Sequence, residues 1–279
     1  MTESTRPRDA ATVLLVRDGA DGLEVFLVRR HDKSGFMGGA TVFPGGKLDD
    51  QDAAAAVLER STGRSPTETA LTLHEAIAPT RAAGLFVAAI RETFEEASVL
   101  LADVGPATDI TAGRARLLAG DPFLDVLVSL NARLRFDWLH PWARWITPTI
   151  EPRRFDARFF VAVCPPAQRA VHDAHETTES AWWRPGAALA AAADGKIMLP
   201  PPTLRNLELL LELSDTASVF ATASGATLEP IEPVAVAESN SVCLALPGDP
   251  AHPVRTLRVA GPTRFVLIDG RWRSIDPPT

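Results

Sequence analysis

The sequence predicts an α/β fold that ends in a short β-rich extension. Two apolar runs with strand character stand near the N-terminus, and a glycine turn follows them. One long, mostly apolar stretch, Ala82–Leu101, has the composition of a buried helix. After Ala217, short β-like runs alternate with proline and glycine turns. The 279 residues suit one large domain with an extension, so we divide the chain into a domain over 8–215 and an extension over 216–279.

The first elements are a β-hairpin and a glycine turn. Ala10–Val16 and Leu23–Val28 are apolar, and the Asp-Gly-rich residues between them favour a tight connection. A basic cluster follows, consisting of Arg29, Arg30, His31 and Lys33. For most of these residues a solvated strand end is the preferred interpretation, and a phosphate-facing edge is the alternative. Thr41–Phe43 is then predicted to be a short strand that runs into the turn Pro44-Gly45-Gly46.

The rest of the chain alternates between helical and extended patterns. Residues 53–81 read as a helical insert before Ala82–Leu101, and Asp121 is expected to cap a second helix within 111–134. Further helices are predicted over 186–194 and 203–214, and strands over 145–148, 155–163 and 180–183. Pro200–Pro202 is interpreted as a rigid connector. Four strands are predicted in the extension, over 234–237, 242–246, 254–259 and 264–268.

Three glutamates on the long helix are the first chemical signal. Glu92, Glu95 and Glu96 are spaced i, i+3, i+4, so their carboxylates share one face of the helix. Like charges on one face repel, and no basic residue follows on the helix to relieve them. A divalent metal bound through oxygen is the natural counter-charge, whereas a solvated acidic face is the alternative. The preceding Arg91 is expected to pair with a carboxylate and to fix its rotamer.

The glycine turn upstream gives this acidic face a chemical context. Gly45 and Gly46 let the backbone turn tightly and approach a ligand closely. Carboxylates that hold Mg²⁺ or Mn²⁺ in an open coordination sphere allow the metal to bridge phosphate oxygens and to lower the pKa of bound water. The combination therefore predicts attack of water on a phosphorus atom of a diphosphate.

The same residues resemble the signature of the Nudix hydrolase family, G-x5-E-x7-R-E-U-x-E-E-x-G-U, in which U is a bulky aliphatic residue. The matching positions are Gly46, Arg91, Glu92, Glu95, Glu96 and Val99. The departures are Asp52 in place of the first glutamate, Thr93 in place of an aliphatic residue, Ser98 in place of the second glycine, and a spacer lengthened to residues 53–90. The resemblance implies an α/β/α sandwich with a mixed sheet.

The long interruption is similar to one branch of that family, which resembles the peroxisomal coenzyme A diphosphatases of animals. Further similar stretches lie at 145–148, 153–160, 175–179, 182–183 and 199–203. This resemblance implies hydrolysis of a nucleoside diphosphate linked to another group, with coenzyme A or acyl-coenzyme A as the favoured substrate. NADH and ADP-ribose-type dinucleotides are the alternatives. A third possibility is a catalytically silent module that only binds a nucleotide.

The resemblance also implies roles for individual residues. Glu92, Glu95 and Glu96 would hold Mg²⁺ or Mn²⁺, and Arg91 would orient a glutamate. The base that activates water is left open between Glu92 and a later loop, where Glu176 is the first candidate and Glu179 the second. The expected contacts to substrate are Gly45, Gly46, Arg30, Arg153 and Arg154, because guanidinium groups match phosphate oxygens.

Composition excludes several other classes. The net charge of −7 argues against binding of nucleic acid, so the expected partner is a small nucleotide. Cys164 and Cys243 have no ligand-like spacing and are interpreted as buried thiols. We expect neither a secretory signal nor a membrane span, which makes the cytoplasm the default location. A homodimer is an expectation from the resemblance alone, because Nudix domains are often dimers.

Overall fold

The computed structural model describes residues 6–32, 37–105, 108–173, 177–226, 228–238 and 241–277. Its strands are β1 Arg8–Gly19, β2 Gly22–Arg30, β3 Thr41–Val42, β4 Gly45–Lys47, β5 Ser61–Thr62, β6 Ala102–Asp103, β7 Arg133–Arg135, β8 His140–Ile146, β9 Phe155–Val163, β10 Thr177–Trp183, β11 Pro230–Ile231, β12 Val234–Glu238, β13 Ser241–Ala245, β14 Arg264–Ile268 and β15 Arg271–Ile275.

The α-helices are α1 Ala55–Leu58, α2 Pro66–Leu73, α3 Pro79–Ala97, α4 Ile110–Leu118, α5 Phe123–Ser129, α6 Pro185–Ala193, α7 Pro201–Leu211 and α8 Thr216–Ala223. Two short 3-10 helices lie at Asp50–Ala53 and Phe136–Trp138. Several helices begin with proline in the first turn, where its missing N–H group costs nothing. Among the described residues, none of these helices combines the length and the apolar character needed to cross a bilayer.

The main sheet has eight strands and is mixed. Six follow the order β10-β2-β1-β9-β8-β11, while β3 pairs with β2 and β4 pairs with β1. The predicted hairpin is present, because β1 and β2 are antiparallel neighbours. The β1–β9 and β8–β11 pairs are parallel, and the other pairs in this sheet are antiparallel.

Alternate residues of β1 enter two separate cores. Val13 and Leu15 belong to the cluster that contains most of α3, whereas Leu14 and Val16 belong to the cluster that contains α7 and α8 residues. This division follows from the two-residue period of a strand, which places neighbours on opposite faces. Helices therefore cover both faces of the sheet, and the predicted α/β/α sandwich is confirmed.

The insert between the glycine turn and α3 is mostly helical, as predicted, but it also contains a strand. β5 pairs with β7, which pairs in turn with β6, so this three-stranded sheet joins the insert to the region after α3. In the second half of the insert, α2 ends at Leu73, because His74 adopts a left-handed conformation with φ of 52°.

Two other helices end or begin at residues that differ from those predicted. The helix expected to reach Leu101 stops at Ala97, where Ser98 is left-handed with φ of 61°. The predicted cap Asp121 pairs with Arg116 instead, and α5 starts one residue later, after Pro122.

Ser98 occupies the position at which the family signature has glycine, and its backbone shows why. A left-handed conformation costs a residue with a β-carbon about 1–2 kcal/mol, which glycine avoids. We expect Ser98→Gly to raise the free energy of unfolding by about 0.5–1 kcal/mol, after the extra freedom of glycine in the unfolded chain is subtracted. Urea denaturation measures this change. Ser98→Ala is the control, and an equal gain from alanine would contradict the explanation.

The extension begins with a helix rather than with a strand. Asp215 caps α8 by accepting the N–H of Ser218, and α8 packs against β1, β8 and β9. β11 then adds to the main sheet through β8, and β12–β15 form a separate antiparallel sheet. The strand predicted over 254–259 is absent from the described structure. There the His252 ring accepts the N–H of Val254 in a local turn, so this N–H is not available to a neighbouring strand.

A buried arginine ties the extension to α7. Arg205 has no exposed surface, and its guanidinium donates to the carbonyl oxygens of Ala260 and Pro262, both at 2.5 Å, and to the Ser274 hydroxyl at 2.8 Å. Its Nε lies 2.9 Å from Glu208 Oε2. The guanidinium of Arg205 and the carboxylate of Glu208 therefore form an ion pair, but the geometry between these two atoms is not that of a hydrogen bond.

Candidate active site

The fold brings the glycine turn and the acidic helix into direct contact. The Gly45 N–H donates to Glu96 Oε2 at 2.9 Å, although the two residues are separated by the whole insert. Gly46 packs against Glu92 so closely that a β-carbon on Gly46 would overlap the carboxylate. The register of β4 on β1, with Gly46 opposite Ala11, fixes the turn at this place.

A side chain is excluded at Gly45 and at Gly46 for different reasons, so we expect substitution by alanine to have different effects at the two positions. A β-carbon at Gly45 would lie 2.5 Å from the Ala11 carbonyl oxygen, and this backbone cannot move aside. We expect Gly45→Ala to lower the free energy of unfolding by about 1–3 kcal/mol. At Gly46 the obstacle is the end of the Glu92 side chain, which can turn away.

Gly46→Ala should therefore fold but lose activity by about 100-fold if Glu92 has the predicted role, because displacing such a carboxylate by about 1 Å has that effect. Thermal unfolding and steady-state kinetics on both variants separate the two cases. A Gly46→Ala variant with wild-type kcat would contradict the role of the Gly46–Glu92 contact.

Arg91 is the centre of the acidic cluster. Its Nε and Nη2 donate to the two oxygens of Asp52, at 2.8 and 2.9 Å, and its Nη1 donates to Glu92 Oε1 at 2.8 Å and to Glu95 Oε1 at 3.3 Å. Nη2 also donates to the Lys47 carbonyl oxygen at 3.0 Å. Burial alone would lower the pKa of Arg91, but its hydrogen bonds to Asp52 and the surrounding carboxylates raise it above the ordinary value. Arg91 is therefore a fixed cation that holds two of the three glutamates.

Asp52, which stands where the signature has glutamate, has a structural explanation. Its side chain is 2 % exposed, and it accepts the Asp49 N–H at 2.9 Å in addition to both donors of Arg91. The shorter side chain suffices because the 3-10 helix at Asp50–Ala53 brings it next to Arg91.

The three glutamates have the donor chemistry of a divalent-metal site. Glu92 and Glu95 line the cleft described below, and Glu96 is buried beneath Gly45. Carboxylate oxygens are the hard ligands that Mg²⁺ and Mn²⁺ prefer. In the part of the chain that the structure describes, no three Asp, Glu, His or Cys residues are already grouped as metal ligands. Arg91 donates to one oxygen of Glu92 and to one oxygen of Glu95.

A cleft of about 740 Å³ opens beside the glutamates. Besides Arg91, its basic lining residues are Arg8, Arg30, Lys47 and Arg153. Arg30 and Arg153 are predicted substrate contacts, and the structure places both at the cleft. Arg8 and Lys47 are additions. Lys47 could have been found from its position directly after Gly46, whereas Arg8 carries no local signal. The cleft thus combines positive charge with the acidic helix, as a phosphate-binding site that uses a metal requires.

Two adjacent arginines that the sequence suggests for substrate lie in different surroundings. Arg153 is exposed at the cleft. Arg154 is 8 % exposed, donates to the Thr147 carbonyl oxygen at 2.9 Å, and pairs with Glu232 of the extension at 2.5 Å. Among the residues that the structure describes, those that line the cleft do not include Arg154. Only Arg153 of the two lines the cleft, whereas Arg154 is committed to Thr147 and Glu232, so we do not retain Arg154 as a substrate contact.

The two loop candidates for the base have different outcomes. Glu176 lies outside the described residues. Glu179 is on β10, pairs with Arg29 at 3.3 Å, and has an exposed side chain. Glu92, the remaining candidate, lines the cleft.

Apolar residues form the other end of the cleft, and the sequence gives little sign of them. Pro200–Pro202, interpreted above as a connector, line the cleft at the start of α7. Trp145 and Phe159 contribute from the main sheet, and Leu244 and Trp272 contribute from the extension. No local pattern connects these distant positions, so only the fold reveals this wall.

Comparisons with known proteins agree with this geometry. A family model described as the NUDT19 Nudix domain matches residues 7–210. The acyl-coenzyme A diphosphatase NUDT19 of Xenopus laevis is 29% identical over 273 residues, which cover 82% of this chain and 71% of the relative. The human protein of the same name is 28% identical, covering 82% of this chain and 72% of the relative. The putative nudix hydrolase 7 of Caenorhabditis elegans is 26% identical, with 87% and 73% covered.

A solved structure leads to the same conclusion. The NUDIX hydrolase from Alicyclobacillus acidocaldarius superimposes with a TM-score of 0.66 at 27% identity, covering 82% of this chain and 100% of that chain. The family match extends over most of the chain and includes the glycine turn, the insert and the acidic helix. The chain therefore belongs to the Nudix hydrolase family, and it is an enzyme whose Nudix domain is of the NUDT19 type.

Proposed function

We propose that this Nudix hydrolase cleaves the diphosphate of coenzyme A or acyl-coenzyme A with the help of Mg²⁺ or Mn²⁺. The observation that best supports this proposal is the contact of Gly45 with Glu96, which joins the two halves of the split signature beside a cleft lined by basic residues. Nudix hydrolases generally use divalent metals. The names of the vertebrate relatives supply the substrate class.

The residues divide the work as follows. Glu92, Glu95 and Glu96 would hold the metal, which neutralises phosphate charge and lowers the pKa of a bound water. Arg91, itself fixed by Asp52, orients Glu92 and Glu95. The base that removes a proton from water is Glu92 or Glu176, since Glu179 is exposed and pairs with Arg29.

Several groups would bind the substrate phosphates. The backbone at Gly45 and Gly46 allows close approach, and Arg30 and Arg153 supply positive charge together with Lys47 and Arg8. The buried Nε of Arg30 has no hydrogen-bond partner within the described structure, so a phosphate oxygen would satisfy it.

The proposed reaction is a simple hydrolysis. The oxygen of water bonds to one phosphorus, the bond from that phosphorus to the bridging oxygen breaks, and the bridging oxygen leaves with the other phosphate. Two phosphorylated products result. The NADH and ADP-ribose alternatives follow the same course.

The homodimer and the cytoplasmic location stay predictions from the sequence.

A substrate panel in ¹⁸O-labelled water tests the proposal. Metal-stripped enzyme receives Mg²⁺ or Mn²⁺ together with coenzyme A, acyl-coenzyme A, NADH or ADP-ribose, and mass spectrometry locates the label in the products. We expect metal-dependent cleavage of the coenzyme A compounds, with kcat/KM at least 10-fold above that of the dinucleotides, or about 1.4 kcal/mol. A preference for NADH or ADP-ribose would replace the substrate assignment.

A further inference from the structure

The C-terminal extension contributes to the apolar end of the cleft. Pro233 and Leu244 are buried there, and Trp272 of β15 is partly buried. Leu244 also belongs to the same core cluster as Trp145 of the main sheet, and Trp272 packs against that cluster. Arg205 of α7 holds the same extension through Ala260, Pro262 and Ser274, which supports the position of this wall.

Strand register gives the distance of this end from the glycine turn. Lys47, Ala10, Ala157 and Trp145 are successive partners across β4, β1, β9 and β8. Neighbouring strands lie about 4.8 Å apart, so three steps place Trp145 about 14 Å from Lys47. A substrate whose diphosphate lies at the glycine turn must therefore reach the apolar end through an extended arm.

The floor of the cleft has the shape for such an arm. Ala10 and Ala157 are small, and Phe155 and Phe159 lie on either side of Ala157 along the same face of β9. This pattern makes an apolar furrow that leads toward Trp145. An extended chain covers about 3.5 Å for every three bonds, so about twelve bonds span the furrow. The pantetheine arm of coenzyme A has about this many bonds between its phosphate oxygen and its sulfur, whereas the adenine lies only about half as far from the diphosphate.

Trp145, which lines the apolar end of the cleft, carries a polar group without a partner in the described part of the chain. The residue is 3 % exposed, and its indole N–H has no hydrogen-bond partner among the residues that the structure describes. A buried donor without an acceptor costs about 1–3 kcal/mol. A thioester carbonyl accepts hydrogen bonds and donates none, so it matches this group. Adenine fits this region less well than a thioester does, because its amino group would place hydrogen-bond donors in apolar surroundings.

On the basis of the proposed function, we propose that the apolar end of the cleft is the subsite for the acyl-thioester arm of the substrate. The Trp145 N–H donates to the thioester carbonyl, and the acyl chain packs against Leu244, Trp272 and Pro233. The extension is thereby a specificity element, which makes acyl-coenzyme A a better substrate than free coenzyme A.

The test compares free coenzyme A with its acetyl and dodecanoyl thioesters in the full-length enzyme. Trp272→Leu is expected to lower kcat/KM for the dodecanoyl thioester, relative to free coenzyme A, by about 10-fold through KM. Trp145→Phe keeps the aromatic packing and removes only the donor. It is expected to lower kcat/KM of both thioesters relative to coenzyme A by about 3–10-fold.

Leu257→Ala, an exposed residue of the same extension, is the matched control and should keep the wild-type ratios. Thermal unfolding of each variant verifies folding. Wild-type ratios in both Trp272→Leu and Trp145→Phe would overturn the subsite while the proposed function stands. A wild-type enzyme that cleaves neither coenzyme A nor its thioesters would overturn both.

Discussion

The double substitution Glu95→Gln, Glu96→Gln is expected to lower kcat by about 10³-fold, equivalent to about 4 kcal/mol of transition-state stabilisation. Both carboxylates belong to the proposed metal ligands, and glutamine carries no charge with which to hold a divalent ion. The residual rate would come from the positioning of substrate by the basic residues of the cleft.

The same variant should keep its fold. The side-chain oxygen of the glutamine that replaces Glu96 can still accept the Gly45 N–H, and removing two neighbouring negative charges relieves repulsion on α3. We expect the free energy of unfolding to change by less than about 1 kcal/mol. This separation of activity from stability distinguishes a metal site from a structural ion cluster.

Steady-state kinetics at several Mg²⁺ concentrations and calorimetric titration with Mn²⁺ measure the two effects. Glu212→Gln, an exposed glutamate just after α7, is the matched control and should resemble the wild type. Full activity in the double variant, or unchanged Mn²⁺ affinity, would remove Glu95 and Glu96 from the metal site.

The sequence predicts the acidic helix and the glycine turn because both are local patterns. The spacing of Glu92, Glu95 and Glu96 is visible within five residues, and Gly45 and Gly46 mark a turn by composition alone. Their contact across the insert could not be read from local pattern, because it depends on the pairing of β4 with β1.

The failures have equally specific causes. Arg153 and Arg154 look equivalent in sequence, and only the folded structure shows that the first lines the cleft while the second pairs with Glu232. α8 could have been found, since Asp215 and Ser218 have capping-box spacing. The role of Trp272 could not, because the wall of the cleft joins residues that are distant in the chain.

Arg205→Met is expected to lower the free energy of unfolding by about 3–5 kcal/mol. Methionine has a similar length, but it leaves the carbonyl oxygens of Ala260 and Pro262 without their donor and Glu208 without its counter-charge. Burial raises the pKa of Glu208 even though Arg205 opposes this shift, so this carboxylate depends on the arginine for compensation. Arg205→Lys keeps the charge but lacks the guanidinium fork, and an intermediate loss is expected.

Chemical denaturation measures the loss, and limited proteolysis shows where it occurs. Because Arg205 joins α7 to the extension, cleavage should appear first after residue 223, while the main sheet stays resistant. Arg255→Met, at an exposed position of the extension, is the control and should change the free energy by less than about 0.5 kcal/mol. An Arg205→Met protein as stable and protease-resistant as the wild type would show that the extension is held by its apolar contacts alone. If the extension loosens as expected, the dodecanoyl preference should fall with it, because Leu244 and Trp272 would no longer form a fixed wall.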